Sequence, residues 1–254
     1  MENYELVSEW GSIYRNGNKA IKIYHDKIYY DTLYDYVAEK ARIHSLVHEA
    51  GLPVPAVYGI KIIDENRIAL EMDYIAAKPF MSENLSREER EKELDIQANL
   101  QCMINAVDAG GFGLPKFSQY IEREIKRTPY LTEQIKEKVL DLLYQLDTGK
   151  ANLCHGDFHA ANIVFDGEKH WVIDWDGAAA GDPAADACMM YFYERRFHPQ
   201  TADVYLRAYC QYSNIRQEDI LAWLPVIAAY QVNIKTKEER DFIIDIIEEW
   251  YKND

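Results

Sequence analysis

The sequence predicts an α+β chain whose strands gather near the N-terminal end while helices fill the rest. Three observations carry that expectation. Alternating apolar and polar residues, with turn chemistry between them, run through residues 5–24 and return at 67–75. From Ser86 onward the apolar spacing becomes three and four residues, the helical period. Set among the helical blocks is one strong hairpin signal, Asp166-Gly167, flanked by Asn162-Ile163-Val164-Phe165 and His170-Trp171-Val172-Ile173.

In order, residues 5–14 read as a strand, Arg15-Asn16-Gly17-Asn18 as a turn, and residues 19–24 as the next strand. A helix then starts at Asp31-Thr32 and is stopped by Gly51, ahead of Leu52-Pro53-Val54-Pro55. Tyr36, Glu39, Ile43, Leu46 and Ala50 recur along it at helical steps. Glu39 is therefore a charge in a mostly apolar stripe, and an inward charge calls for a partner, for which Lys22 is the natural residue. The alternative leaves Glu39 at the rim of the stripe. Residues 67–75 form a further strand, broken by Ala76-Ala77-Lys78-Pro79.

Ser86-Arg87-Glu88-Glu89 opens a helix that runs through Leu100, Met103, Ile104 and Val107 toward Gly110-Gly111. Its charge density fits a solvated face with pairs four residues apart. Residues 132–146 form another helix, leading into the hairpin region. Helices over 184–197, 201–212, 218–232 and 237–250 follow, broken by Pro199, Asn214 and the polar run at Asn233.

With 254 residues, 48% of them hydrophobic and 13% aromatic, the chain has ample core for one domain or for a bilobal unit with a shared cleft. No apolar run approaches the roughly 20 residues of a membrane span. The acidic, polar start predicts no signal peptide. Cys102, Cys154, Cys188 and Cys210 are scattered without a Cys-x-x-Cys pair, which predicts reduced thiols and a cytoplasmic protein. A net charge of −15 disfavours nucleic acid and anionic membrane as partners, since both demand basic footprints. It is permissive for a cationic small molecule, although a solvated acidic surface explains it equally well.

The hairpin organises the chemistry. Folding it carries Asp174 back to the end where Asn162 starts, and Asp157 lies one short loop upstream. Three oxygen-bearing side chains thus converge, a set suited to a hard divalent cation bound together with phosphate oxygens. Asp157 is the odd one out, a base that orients a hydroxyl. Blander readings exist for single residues. His155 and His159, four apart, would share a helix face as zinc ligands, but no third Cys or His stands at ligand spacing and Gly156 argues against a helix. A lone Asp157 would be a satisfied loop carboxylate, a reading that its company with Asn162 and Asp174 weakens.

His155-Gly156-Asp157 followed by Asn162 resembles the catalytic loop of the aminoglycoside phosphotransferase and choline kinase families, small-molecule relatives of protein kinases. Ile173-Asp174-Trp175 stands where protein kinases have Asp-Phe-Gly, and Gly181-Asp182-Pro183 with Asp186 is similar to the family's next element. The resemblance implies a bilobal protein-kinase-like fold, with an antiparallel-sheet nucleotide-binding lobe over 1–75 and a mainly helical lobe over 76–254 holding the catalytic loop and acceptor site. It implies transfer of the γ-phosphoryl group of ATP or GTP to a small-molecule hydroxyl, aminoglycoside-like, with choline or another amine alcohol as the alternative.

By the same resemblance Asp157 is the catalytic base, and Asn162 and Asp174 hold Mg²⁺. Lys22, in Ala20-Ile21-Lys22, grips the phosphates and is aligned by Glu39; Lys19, on the opposite strand face, is the alternative. Backbone groups from Asp73 to Ile75 would meet the nucleotide base, with Met72 lining the back of its pocket. The chain lacks a glycine-rich phosphate loop, so only Gly11 and Ser12 are placed to offer N–H groups to phosphate. Asp186 would brace the catalytic loop. Glu194, Asp203, Asp241 and Asp245, with Tyr191, Tyr193, Trp223 and Tyr230, are candidates to hold an amine or sugar, against surface charge and core packing as the simpler account.

Two other classes are weighed. A nucleotide-binding pseudokinase would have lost one of Asp157, Asn162 or Asp174, and all three are present. A protein kinase needs a docking segment after the metal aspartate, yet Asp174 to Asp186 is short and contains no Ser, Thr or Tyr.

Overall fold

The computed structural model describes residues 5–8, 12–25, 31–80, 85–233 and 236–253. In chain order its strands are β1 (Glu5–Ser8), β2 (Ile13–Asn16), β3 (Lys19–Tyr24), β4 (Val57–Asp64), β5 (Arg67–Asp73), β6 (Lys78–Pro79), β7 (Asn152–Cys154), β8 (Ile163–Phe165), β9 (His170–Val172) and β10 (Ala179–Gly181). The helices are α1 (Leu33–Glu49), α2 (Arg87–Asn105), α3 (Phe117–Arg127), α4 (Glu133–Leu146), α5 (Pro183–Phe197), α6 (Ala202–Ser213), α7 (Gln217–Leu221), α8 (Leu224–Gln231) and α9 (Lys237–Asn253). They divide into two compact units, Met1–Phe80 with Ala160–Asp176, and Met81–His159 with Gly177–Asp254. The fold class is the expected one: an antiparallel-sheet unit and a mainly helical unit.

The first unit is built on a five-stranded antiparallel sheet in the order β1-β2-β3-β5-β4. The single strand expected over 5–14 is two, because the chain reverses at Ser12, whose φ of 50° lies in the left-handed region. One face of the sheet presents Tyr24, Ile68 and Leu70, which pack with Tyr36 and Val37 of α1. Ile21, Ile23 and Ala69 form a separate cluster. Lys22, two residues before Tyr24, shares the α1-facing side.

Thr32 caps α1, accepting a hydrogen bond from the Asp35 N–H, and Gly51 follows its end with φ +83°. The helix buries Tyr36, Val37, Lys40, Ile43, His44 and Val47. The inward charge is therefore Lys40, not Glu39. Glu39 lies at the flank, bound to Arg42 at 2.6 Å, so the expected Lys22–Glu39 pair is not formed. Two polar residues on the buried face caused the misreading. His44 is among them, its Nε2 donating to the Pro55 carbonyl at 2.8 Å while burial pushes its pKa down to about 4.

The hairpin belongs to this unit although it comes late in the chain. β8 pairs with both β6 and β9, the Phe80 N–H donates to the Ile163 carbonyl at 3.2 Å, and the Val172 N–H donates to the Pro53 carbonyl at 2.8 Å. The sheet unit thus takes in residues beyond the expected 1–75.

In the second unit Ser86 and Glu89 form a reciprocal capping box that starts α2. The helix ends at Asn105, short of the expected Val107. The expected helix over 218–232 is α7 and α8, interrupted before Pro225, whose missing N–H suits the first turn of α8. Helix α3, not foreseen, buries Phe117, Ile121 and Ile125 at four-residue steps. β7 and β10 form a short antiparallel pair, Leu153 opposite Ala180, on which the Asp157 loop begins. No helix among the described residues is long and apolar enough to cross a membrane.

Candidate active site

In the helical unit, β7 delivers His155-Gly156-Asp157. Gly156 has φ +77°, and a Cβ there would lie 2.2 Å from the Gly177 carbonyl oxygen, so only glycine fits. The loop is held by Asp186, buried in the first turn of α5. Its Oδ1 accepts the Gly156 N–H at 3.0 Å, and its Oδ2 accepts the His155 N–H at 3.3 Å. Gln101 Nε2 and Asn105 Nδ2, one turn apart on α2, donate to the same Oδ2 at 3.0 and 2.9 Å. Each amide is oriented from behind. Tyr205 donates to Gln101 Oε1, and Tyr209 donates to Asn105 Oδ1 at 2.8 Å. With its oxygen facing a hydroxyl, each amide turns its NH₂ toward the carboxylate. The bracing role expected of Asp186 thus rests on side chains that the sequence did not single out.

Asp157 is half exposed. Tyr193 of α5 donates to its Oδ1 at 3.0 Å, and His159 Nε2 stands 3.5 Å from its Oδ2. Burial works against the charged form, but the contacts from His159 and Tyr193 outweigh it and hold the carboxyl below its ordinary range. Gln231 Nε2 donates to the Tyr193 hydroxyl at 3.3 Å.

In the sheet unit, Ile163 pairs with Val172 and Phe165 with His170. The turn is four residues, closed by the Asp166 N–H to the Lys169 carbonyl at 3.3 Å. Asp166 accepts from the backbone N–H groups of Lys169 and Glu168, each at 2.8 Å, and from Trp171 Nε1 at 2.6 Å, which takes its pKa to about 2. At the open end the Ile173 N–H donates to the Asn162 carbonyl at 2.9 Å, so Asn162 and Asp174 emerge together. Asp174 has φ +62°, a conformation that Asp tolerates better than most residues and that recurs at functional sites.

Lys22 Nζ lies 2.8 Å from Asp174 Oδ1 and 2.8 Å from Asp176 Oδ2. Burial would lower its pKa, yet the two carboxylates raise it further, and the ammonium sits above its ordinary value. The Tyr24 hydroxyl donates to Asp176 Oδ1 at 3.0 Å, and Lys40 Nζ donates to the Asp176 carbonyl at 2.5 Å. Burial lowers the Lys40 pKa. Lys19, on the opposite face of β3, is paired with Glu71 at 2.9 Å.

The remaining candidates divide. Ser12 forms the reversal before β2 and its carbonyl accepts from the Ile23 N–H at 3.0 Å; Gly11 lies outside the described residues. Asp73 spends its N–H on the Ala56 carbonyl, at 2.9 Å, and its carboxylate on the Ala56 N–H and the Tyr58 hydroxyl, so it serves the sheet. The Ile75 carbonyl accepts from the Ala77 N–H at 2.9 Å. Met72 packs on the Tyr24–Leu70 cluster. Among the acidic acceptor candidates, Glu194 is bound to Arg90 at 2.9 Å and Asp241 to Lys237 at 2.5 Å.

Asn162 and Asp174 supply an amide oxygen and a carboxylate at one hairpin end. That donor set fits Mg²⁺, which keeps waters and takes substrate phosphate oxygens as its other ligands. Among the described residues no group of three or more His, Cys, Asp or Glu is arranged to hold a metal ion, so the zinc alternative at His155 and His159 gains no third ligand.

Comparison with known proteins bears on the fold and the family. The mouse protein acyl-CoA dehydrogenase family member 10 is 27% identical over 216 residues, 68% of this chain; the match spans only 20% of that longer protein. The choline kinase of Streptococcus pneumoniae superposes with a TM-score of 0.68 at 17% identity, covering 97% of this chain and 92% of that one. A choline/ethanolamine kinase family protein from Mesorhizobium loti gives 0.68 at 16% identity, covering 97% and 87%. An aminoglycoside phosphotransferase of Streptomyces rimosus, in complex with ADP and streptomycin, gives 0.63 at 15% identity, covering 89% and 92%. At these identities the structures show a shared fold. The model of the phosphotransferase enzyme family matches residues 17–223, from the β2–β3 turn to the residue before α8. The chain belongs to the phosphotransferase enzyme family.

Proposed function

We propose that this protein transfers the γ-phosphoryl group of ATP or GTP to a hydroxyl group of a small molecule. One observation carries the reading: Asp157 is a half-exposed carboxylate kept ionised by Tyr193 and His159, on a loop whose backbone is pinned by Asp186. A base so placed can orient an acceptor hydroxyl and take its proton late, as the bond from phosphorus to the leaving nucleoside diphosphate breaks and the bond to the acceptor oxygen forms. Lys22 neutralises phosphate charge. Asn162 and Asp174 are the residues that would hold Mg²⁺, which when bound supplies further neutralisation of the phosphate oxygens. The protein's part is positioning and electrostatics.

For the acceptor we favour a polyhydroxylated, aminoglycoside-like compound, supported by the fold shared with such kinases and by an acidic chain that tolerates cations. The choline kinase structures, which superpose with TM-scores of 0.68 against 0.63, keep an amine alcohol as the alternative. The four cysteines are free thiols, which supports a reducing compartment such as the cytoplasm.

The test is consumption of Mg·ATP and Mg·GTP against a panel of hydroxyl compounds, with Asp157→Asn beside the parent. The variant should bind nucleotide nearly as the parent does and turn over about 10²–10⁴-fold more slowly. Equal losses of binding and rate would make Asp157 a structural residue.

A further inference from the structure

We infer that Asp176 is the positioning residue that aligns Lys22 toward nucleotide phosphates, a task the sequence had assigned to a carboxylate on α1. The inference rests on the phosphotransfer reading above and names a residue that it leaves without a role.

The α1 carboxylate expected to serve, Glu39, is engaged elsewhere. The inward charge of the helix is Lys40, which repels rather than pairs with Lys22, and Glu39 is bound through both oxygens to Arg42 Nε and Nη2, each at 2.6 Å. Asp176 is held from three directions. Its Oδ2 takes Lys22, its Oδ1 takes the Tyr24 hydroxyl, and its backbone carbonyl takes Lys40. Lys22 and Tyr24 are two apart on β3 and so project to one face, where a single carboxylate can accept from both. Lys40 contributes by fixing the turn that carries Asp176.

Asp174 also touches Lys22, but the two carboxylates divide the work. Asp174 is the more exposed, in a left-handed backbone conformation at the hairpin end beside Asn162, where the proposed reaction needs it for Mg²⁺. Asp176 would remain on the ammonium with Asp174 serving as a metal ligand. The alignment of Lys22 is thereby built into the turn after the hairpin, and α1 adds a cation to the cluster.

The probes are ATP and GTP, titrated by calorimetry into the full chain with Mg²⁺ and again with EDTA. Asp176→Asn keeps the shape and removes the charge that holds Lys22. It should weaken nucleotide binding about 10-fold or more, as expected for loss of a charged hydrogen bond. The loss should persist in EDTA, because Lys22 acts on phosphate directly. The loss for Asp174→Asn should be confined to Mg²⁺. Tyr24→Phe removes only the second anchor of Asp176 and should weaken binding in the same direction by less; it decides the matter if Asp176→Asn does not fold. Unchanged affinity in a folded Asp176→Asn overturns the inference, as does a loss seen only with Mg²⁺, which would make Asp176 a metal ligand. A parent that binds neither nucleotide overturns the phosphotransfer reading itself, an outcome distinct from both.

Discussion

Gly156→Ala is a sharp perturbation because two independent effects meet at one residue. The first is conformational. At φ +77° an L-residue costs about 1–2 kcal/mol relative to glycine. The second is steric. The added Cβ would sit 2.2 Å from the Gly177 carbonyl oxygen and 2.9 Å from its carbonyl carbon, both backbone atoms that cannot rotate away. Reaching even 3.0 Å requires a shift of 3.0 − 2.2 = 0.8 Å. Such overpacking typically costs a further 1–3 kcal/mol or so. Gly149, in the same unit, separates the two effects. Its φ is +79°, and an added Cβ there meets nothing within 4 Å. Urea unfolding should therefore show Gly149→Ala losing about 1–2 kcal/mol and Gly156→Ala about 2–5 kcal/mol. The shift also falls on the residue before Asp157. A misplacement near 1 Å at a reacting group can cost about 100-fold in rate, so turnover should fall in Gly156→Ala and hold in Gly149→Ala. Equal stability losses in the two variants, with turnover intact in both, would refute the argument from close approach.

Other expectations follow from the site. Asp174→Asn should weaken nucleotide binding in the presence of Mg²⁺ and abolish turnover while circular dichroism reports an unchanged fold; normal turnover would remove Asp174 from the metal assignment. Tyr193→Phe bears on pH. The Tyr193 hydroxyl donates to the charged form of Asp157 and so helps hold its pKa down; removing that donor raises it. Since the base works only when ionised, the acid limb of kcat/KM should move to higher pH in the variant, and an unmoved limb would show that the contact does not tune the carboxylate. His155, Tyr230 and Arg196 also act on this pair, directly or through Tyr193, and should be left intact in the comparison.

What could be read from the sequence was whatever is local along the chain. Asp157, Asn162 and Asp174 fall within eighteen residues, and the register that brings Asn162 and Asp174 to one hairpin end follows from the hairpin, so that pairing needed no tertiary information. The partner of Lys22 was a different kind of problem. Asp176 is 154 residues away, and no periodicity links a strand to a distant turn. On α1, neighbouring residues differ by about 100° around the axis, so the choice between Glu39 and Lys40 hung on where the buried stripe is centred. With Lys40 and His44 both polar and both buried, hydropathy centred it wrongly. The brace behind the Asp157 loop was hidden for a related reason. Gln101 with Asn105, and Tyr205 with Tyr209, are spaced like any helix-face residues, and only packing shows that they face each other across Asp186.

The same distinction bears on what the net charge says of the acceptor. A chain of charge −15 invites the thought of a cationic substrate, yet acidic side chains matter for recognition only where they remain available. Glu194 is buried against Arg90, and Asp241 is bound one helical turn away to Lys237. Neither carboxylate stands ready to hold an amine. The groups around Asp157 are of another kind: the Tyr193 hydroxyl, the His159 ring set edge-on to the Tyr193 ring at 5.7 Å between centroids, and the Gln231 amide behind. These are two aromatic rings and an amide, and such rings can stack on a sugar or receive a quaternary ammonium through cation–π contact. On the proposed phosphotransfer reading, shape and hydrogen bonding beside Asp157 would govern acceptor choice, and the bulk charge would bear on solubility and on how fast a cation arrives.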